Sequence, residues 1–152
     1  MIKEIVEILK NKKATITFAE SCTGGRVASA FTAVSGVSEV FNGSVVSYSN
    51  EIKSLWLGVR EQTLMEHGAV SRECVSEMLD GALKLARADY AIAISGIAGP
   101  SGGTPEKPVG TVFIGVKGRG RMKIERFLFS GDRESIQNQS VESAILLFKN
   151  IL

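Results

Sequence analysis

The sequence predicts an α/β protein, a single-domain three-layer α/β/α sandwich built on a mixed central sheet. Strand-like and helical segments alternate through the first half of the chain, a pattern that places parallel strands side by side. Two strand-like runs then follow each other closely near the end, as in an antiparallel hairpin, so the sheet should be mixed and covered by helices on both faces. The 152 residues suit one domain, which we place at 1–152.

The first half of the chain opens with an amphipathic helix. Its apolar positions recur at helical spacing: Ile2, Ile5, Val6 and Leu9. The segments that follow are, in order, a buried strand at 14–19, a glycine turn at 20–25, a helix at 26–34, a short connection at 35–41 and a strand at 42–49. The turn pair Asn42-Gly43 opens this second strand.

The second half is predicted from helix caps and apolar runs. Good N-cap residues precede three helical patterns: Ser49 or Asn50, Ser71 and Asp132. The predicted segments are short helices at 50–58 and 61–66, a longer helix after Ser71, a strand at 89–95, strands at 109–117 and 121–129, and a last helix after Asp132.

A loop at 95–110 separates two of these strands and contains all three prolines and five of the sixteen glycines. Long loops of specified backbone are more often functional than idle, and free backbone N–H groups could line a cavity for a polar ligand. The plainer alternative is a rigid surface connection. The turns at 20–25 and 95–108 both follow strands, so they could share one edge of the sheet, where ligands of open α/β sheets bind.

Composition excludes several classes of function. A net charge of +2 is too small for a nucleic-acid partner, and the basic stretch 118–126 lies at a turn without aromatics to stack on bases. Two separated cysteines and one histidine predict neither a disulfide framework nor a zinc site. The sequence has no apolar run of 18 residues and no signal-peptide pattern, so we expect a cytoplasmic protein with no membrane partner, no metal and no cofactor.

Common catalytic motifs are absent or misleading. The sequence contains no GxxxxGK[ST] phosphate loop and no GxGxxG. Residues 99–103 match GxSxG, but a nucleophile elbow needs a strand directly before its serine and a helix after it. Here Pro100 precedes Ser101 and no histidine lies downstream.

A lysine and a serine are the remaining candidates for chemistry. Lys53 lies early in the predicted helix 50–58 and Tyr48 near the end of the preceding strand. Lysine is a poor base at its free pKa of about 10.4, but burial lowers that pKa, and the neutral amine can then accept a proton. Spacing does not choose among the nearby serines: Ser35, Ser38, Ser44, Ser47 and Ser49. The alternative is a solvated helix lysine and a half-buried strand tyrosine.

The glycine turn at 20–25 is a second candidate site. Thr23 is a good N-cap for the helix after it, and Gly24 and Gly25 would let a ligand approach the first turn. Free N–H groups and the helix dipole favour an anion there, so phosphate binding is plausible. A close-packing Gly-Gly turn would have the same sequence.

Six sequence blocks occur together in order: AESCTGG (19–25), SGVSEVF (35–41), VSYSNEIK (46–53), GAVS (68–71), SGIAGPSGGTPEKPVGTV (95–112) and SGDR (130–133). With these blocks the chain resembles the C-terminal domain family of competence/damage-inducible protein A. Stand-alone members of that family are nicotinamide-nucleotide amidohydrolases. The resemblance spans nearly the whole chain.

The resemblance implies a reaction in which nicotinamide mononucleotide (NMN) and water give nicotinate mononucleotide and ammonia, without a metal or cofactor, in an enzyme that is commonly a homodimer. It implies Ser38 as nucleophile, with Lys53 and Tyr48 relaying protons. It also implies that substrate is bound by residues of the glycine-rich and arginine blocks: Ser21, Thr23, Gly24, Ser95, Gly96 and Arg133. The alternative is a catalytically silent nucleotide-binding or competence-related regulatory module.

Overall fold

The computed structural model describes residues 1–152 and contains six helices and five strands. The helices are α1 (Ile2–Lys12), α2 (Arg26–Thr32), α3 (Asn50–Leu57), α4 (Glu61–His67), α5 (Arg72–Ala86) and α6 (Arg133–Ile151). The strands are β1 (Ile16–Glu20), β2 (Val45–Val46), β3 (Tyr90–Gly96), β4 (Thr111–Gly118) and β5 (Arg121–Leu128). A short 3-10 turn, Val37–Glu39, lies between α2 and β2.

The five strands form one mixed sheet in the order β2-β1-β3-β4-β5. Strand β1 pairs in parallel with both β2 and β3, and β4 pairs antiparallel with β3 and β5. The predicted mixed sheet is therefore confirmed. Because Glu20 is in register with Val46 and Ile94, the carboxyl ends of the three parallel strands meet at one edge.

Two hydrophobic cores lie on the two faces of the sheet. The larger packs α1, α2 and α6 against the sheet and includes Phe18, Phe31 and Phe148. The smaller packs α3, α4 and α5 against the opposite face and includes Leu57 and Leu79. Strands β1, β3, β4 and β5 each supply side chains to both cores, because successive side chains point to opposite faces. The α/β/α sandwich expected from the sequence is thus the observed architecture.

The second strand is shorter than its predicted span of 42–49. Only Val45 and Val46 pair as a strand, and one further backbone bond, from Ser47 N to Glu20 O at 2.8 Å, extends the ladder. The chain then leaves the sheet, since the Ser49 hydroxyl accepts a hydrogen bond from Ile52 N and caps α3. The strong N-cap ends the strand early and starts the helix that carries Lys53.

Helix α2 begins later than predicted. Thr23 is not its N-cap, because the helix starts at Arg26 after Gly25, which lies in the left-handed region at φ 99°. The first helical N–H groups are satisfied instead by Glu20, the last residue of β1, whose carboxylate accepts from Val27 N and Ala28 N. The cap therefore comes from the preceding strand and not from the turn.

Helix α3 is held against α5 by a close backbone approach at Gly81, where an added Cβ would overlap the carbonyl group of Leu57. Because the overlap is with backbone atoms, rotation of a side chain cannot relieve it. We expect Gly81→Ala to lower the free energy of unfolding by about 1–3 kcal/mol, which urea denaturation would measure. The overlap should outweigh the higher helix propensity of alanine.

Gly43→Ala is the matched control for this prediction, because a Cβ there meets no atom within 4 Å. We expect its unfolding curve to stay close to that of the unchanged protein. Equal stability of the Gly81→Ala and Gly43→Ala variants would show that the α3–α5 approach does not depend on glycine.

None of the six helices has the length and apolar content needed to cross a membrane.

Candidate active site

A cavity of about 160 Å³ opens at the edge of the sheet where the parallel strands end. Its lining comes from the ends of β1 and β3, from α3 and the residues before it, from the segment before α5, and from the start of α6. Six of the nine residues predicted from the sequence line it: Ser21, Tyr48, Lys53, Ser95, Gly96 and Arg133.

Lys53 is the most unusual residue of the cavity, because only 1% of it is exposed although it carries an amine. The residue lies in the first turns of α3, which Ser49 caps. Its Nζ lies 3.1 Å from Ser21 Oγ and 2.9 Å from the backbone carbonyl oxygen of Tyr48, and donates to both. No carboxylate forms an ion pair with this amine. The alternative of a solvated helix lysine is therefore wrong.

Burial lowers the pKa of Lys53 from its ordinary value of 10.5, because desolvation disfavours the charged ammonium. Two thiols, Cys22 and Cys74, lie close enough to oppose this shift if they were ionised. Burial, however, raises the pKa of Cys22 to about 12 and that of Cys74 to about 11. Both thiols are therefore neutral near pH 7, so they do not oppose the lowering of the Lys53 pKa, and neither cysteine is a ready nucleophile.

Ser21 and Ser95 lie side by side at the floor of the cavity. Glu20 is in register with Ile94, so the next residues along, Ser21 and Ser95, are neighbours on adjacent parallel strands. The Ser21 N–H donates to Ile94 O at 3.1 Å. Both serines are buried and both line the cavity, and the Ser21 hydroxyl contacts the Lys53 amine.

Tyr48 and Arg133 lie at the mouth of the cavity. Tyr48 is 59% exposed, and its phenol oxygen accepts a hydrogen bond from Arg133 Nη2 at 3.0 Å. Arg133 Nη1 donates to Gly99 O at 2.7 Å. The expected contact between the Tyr48 phenol and Lys53 is not formed, since Lys53 contacts the backbone of Tyr48. The phenol faces the guanidinium instead.

Ser38 lies away from this cavity. It is exposed within the 3-10 turn, two residues before Val40, whose carbonyl accepts a bond from Ile16 N. Ile16 begins β1 and Ser21 follows its end, so the length of β1, roughly 13 Å at about 3.3 Å per residue, separates the two positions. Within one chain, Ser38 does not converge with Lys53 as expected.

Thr23 and Gly24 also lie outside the cavity lining. Thr23 is fully buried and its hydroxyl donates to Glu20 Oε1 at 2.6 Å, while Gly24 is exposed on the outer side of the turn. The phosphate site expected at the start of α2 is not available, because Glu20 already accepts from the helix N–H groups. The sequence pattern predicts no role for Glu20, since a glutamate at a strand end is ordinarily a solvated residue.

The loop at 95–110 contributes to the cavity only at its start. Only its first residues, Ser95, Gly96 and Ala98, line the cavity, whereas 101–106 are exposed. Lys107 Nζ donates to the backbone oxygen of His67 and so joins the loop to the end of α4. The start of the loop thus lines the cavity, as one of the two alternatives expects, while 101–106 form the exposed connection that the other expects.

Five lining residues were missed by the sequence reasoning: Cys22, Asn50, Ala69, Val70 and Ala98. All five fall within the six sequence blocks, so position in a block was the available signal. No group of three or more His, Cys, Asp or Glu side chains is placed to hold a metal ion.

Comparison with known proteins identifies relatives over nearly the whole chain. The family model described as CinA C-terminal domain matches residues 1–152. A CinA-like protein of Thermotoga maritima is 54% identical over 145 residues, which are 95% of this chain but 35% of that protein. The nicotinamide-nucleotide amidohydrolase PncC of Escherichia coli K12 is 52% identical over 144 residues, covering 94% of this chain and 87% of PncC. The chain thus spans about a third of the CinA-like proteins and most of PncC.

Solved structures agree with this result. A CinA superfamily protein of Escherichia coli has a TM-score of 0.96 at 32% identity, covering 99% of this chain and 88% of that chain. The competence/damage inducible protein CihA of Agrobacterium tumefaciens has a TM-score of 0.95 at 37% identity, covering 98% and 92%. The resemblance noted from the sequence blocks is confirmed, and the chain belongs to the CinA C-terminal domain family.

Proposed function

We propose that this protein is a nicotinamide-nucleotide amidohydrolase that converts NMN and water to nicotinate mononucleotide and ammonia. Two independent lines support the proposal. The first is the 52% identity to the amidohydrolase PncC, of which the chain covers 87%. The second is the cavity itself, which joins a buried amine to a serine hydroxyl at an edge of the sheet where ligands commonly bind.

The Lys53–Ser21 pair is the observation that carries the proposal. Hydrolysis of a carboxamide by a serine needs a base within hydrogen-bond reach of the hydroxyl, and Nζ lies 3.1 Å from Ser21 Oγ. A serine hydroxyl can donate as well as accept, so a neutral Lys53 would accept the Ser21 proton in the same geometry. The lowered pKa of Lys53 supports that neutral state.

The reaction then proceeds in two halves. Ser21 Oγ attacks the carboxamide carbon while its proton passes to Lys53 Nζ, and the carbonyl oxygen takes the negative charge. The C–N bond breaks as the ammonium form of Lys53 returns the proton to the departing amine, which leaves as ammonia. Water, deprotonated by neutral Lys53, cleaves the resulting ester and releases the carboxylic acid and Ser21. Ser95 offers a further hydroxyl donor for the oxyanion.

The size and charge of the site fit part of this substrate. About 160 Å³ is small beside the roughly 300–1,000 Å³ of sites that enclose a whole drug-sized ligand. The pyridine ring and its carboxamide would therefore enter the cavity, with the ribose phosphate outside. Arg133 at the mouth has five donors, and its two bonds in the structure leave others for a phosphate. The positive pyridinium ring favours a neutral over a charged Lys53.

The role expected of Ser38 requires a second copy of the chain. Its own Lys53 lies at the other end of β1, so only a homodimer could bring Ser38 to a Lys53 amine. The homodimer and the nucleophilic Ser38 are thus one linked proposal, and Ser21 is the nucleophile that a single chain supplies.

We propose a cytoplasmic location, which the two free thiols support. We also propose that the partners are small nucleotides and not nucleic acid or membrane.

We expect purified protein to release ammonia and nicotinate mononucleotide in equal amounts from NMN, and to do so in the presence of EDTA. The measurement couples ammonia detection to chromatography of the nucleotide product. Nicotinate mononucleotide, which has no amide to hydrolyse, is the control substrate and should release no ammonia. A folded protein that leaves NMN intact would contradict the proposed function and favour the nucleotide-binding module.

A further inference from the structure

We propose that Glu20 and Thr23 are positioning residues that hold Ser21 against Lys53, although neither touches the substrate. The proposal rests on the amidohydrolase function, because its effect is read in turnover, but the arrangement itself is a property of the folded chain. We call this pair and its bonds the Glu20–Thr23 clamp.

Both oxygens of the Glu20 carboxylate are used. Oε1 accepts from Thr23 Oγ1 at 2.6 Å and from Val27 N at 2.9 Å, and Oε2 accepts from Ala28 N at 3.0 Å. Hydrogen bonds to a carboxylate are stronger than those between neutral groups, so the three bonds together fix the side chain. Glu20 is 1% exposed, and water therefore does not compete for these oxygens.

Glu20 is buried without a cationic partner, since it takes part in none of the ion pairs of the molecule. A buried carboxylate is costly unless its oxygens are satisfied, and here only the Thr23 hydroxyl and the first N–H groups of α2 satisfy them. A neutral glutamine at this position could accept from some of these donors through its amide oxygen. Its own amide N–H groups, however, would face the remaining donors and could not pair with them. The clamp therefore depends on a carboxylate and on a hydroxyl at position 23.

The clamp closes the turn that carries Ser21. Residues 21–25 connect β1 to α2 and reverse direction through Gly24 and Gly25, at φ 58° and 99°. Glu20 joins the end of β1 to the middle of the turn through Thr23 and to the first turn of α2 through Val27. Gln137 Nε2 of α6 holds the same turn by a bond of 2.9 Å to Cys22 O.

The position of Ser21 follows from this arrangement. The side chain of Glu20 points toward α2. Because successive side chains of a strand point to opposite faces of the sheet, the side chain of Ser21 points toward α3. The backbone of Glu20 is fixed by pairing on both sides, to Val46 and to Ile94. With the turn closed beyond it, the backbone of Ser21 is held where its Oγ lies 3.1 Å from Lys53 Nζ. Small displacements of reacting groups are costly, and about 1 Å can lower a rate roughly 10²-fold.

The test compares Thr23→Val, which removes the hydroxyl at nearly constant shape, with Thr23→Ser, which keeps it. We expect Thr23→Val to lower kcat for NMN by about 10- to 100-fold with little change in KM, because Thr23 lies outside the cavity. We expect Thr23→Ser to restore most of kcat. Glu20→Gln should resemble Thr23→Val, and thermal melts establish that each variant is folded.

A folded Thr23→Val protein with unchanged kcat would overturn the proposal, as would a loss of kcat that serine fails to rescue. A second readout needs no turnover: NMR titration of the Lys53 side chain in the unchanged protein and in Thr23→Val. Displacement of Ser21 removes a partner of the amine and should move its titration midpoint, whereas an unmoved midpoint counts against the clamp. If the unchanged protein releases no ammonia from NMN, the proposed function fails and this titration alone decides the positioning role.

Discussion

Replacing Lys53 with methionine is expected to lower kcat for NMN by roughly 10²–10⁴-fold, the usual contribution of general acid–base catalysis. Methionine keeps an unbranched side chain in the buried position but can neither accept the serine proton nor return one to the leaving amine. Substrate binding should change less, since the phosphate and ribose lie outside the cavity in the proposed pose. Steady-state kinetics of ammonia release would measure both parameters.

The same residue should set the acid limb of the pH–rate profile. Burial lowers the pKa of Lys53 below its ordinary 10.5, and the reaction needs the neutral amine. The value of kcat should therefore rise with pH to a plateau, and the midpoint of the rise should lie below 10.5.

The free energy of unfolding should also rise with pH. Between the folded pKa and about 10.4, the unfolded chain holds a proton that the folded chain has lost, so the unfolding free energy rises with pH in that window. Lys53→Met should lose this rise.

Lys84→Met is the matched control, because Lys84 is exposed on α5 and far from any proposed chemistry. It should retain both the rate and the pH profile. Turnover by a folded Lys53→Met protein at the wild-type rate would remove Lys53 from the mechanism, whatever its burial.

The elements that were predicted well are those with a local signal at each end. The side chains of Ser71 and Asp132 accept from backbone N–H groups three residues on, as N-caps do, and both helices begin where the sequence indicated. The buried positions of α5, among them Val75 and Leu79, follow from helical periodicity. The hairpin of β4 and β5 follows from two apolar runs around a short turn. These signals lie within a few residues, so the sequence displays them directly.

The site was predicted less completely because its contacts join distant residues. Lys53 was correctly expected in a cavity, but the hydroxyl beside it is 32 positions away along the chain and was not among the serines considered from spacing. The capping role of Glu20 was missed for a related reason. Its partners Val27 and Ala28 donate through their backbone N–H groups, and no pattern of side chains in the sequence predicts such a bond. Register between parallel strands, which aligns Ser21 with Ser95, is set by tertiary packing.

Ser21→Ala should have the largest effect of any single change, a loss of kcat of about 10⁴-fold or more, as expected when a catalytic nucleophile is removed. The Ser21 hydroxyl is the one that Lys53 contacts, and alanine leaves no atom to form the ester intermediate. The variant should remain folded, because removing one hydroxyl creates little empty volume. Rapid-quench measurement of enzyme-bound nicotinoyl ester in the unchanged protein, and its absence in Ser21→Ala, would test the assignment directly.

Ser38→Ala separates the two possible sources of the nucleophile. If Ser21 attacks, this variant should turn over NMN at close to the wild-type rate, because Ser38 is an exposed residue at the far edge of the sheet. Loss of activity in Ser38→Ala would instead require a second copy that places Ser38 beside Lys53. Mixed dimers then decide the matter: Ser38→Ala and Lys53→Met chains, each inactive alone, would regain activity together only if one chain supplies the hydroxyl and the other the amine. The reason is geometric, since such a dimer forms one site with both groups intact and one site with neither.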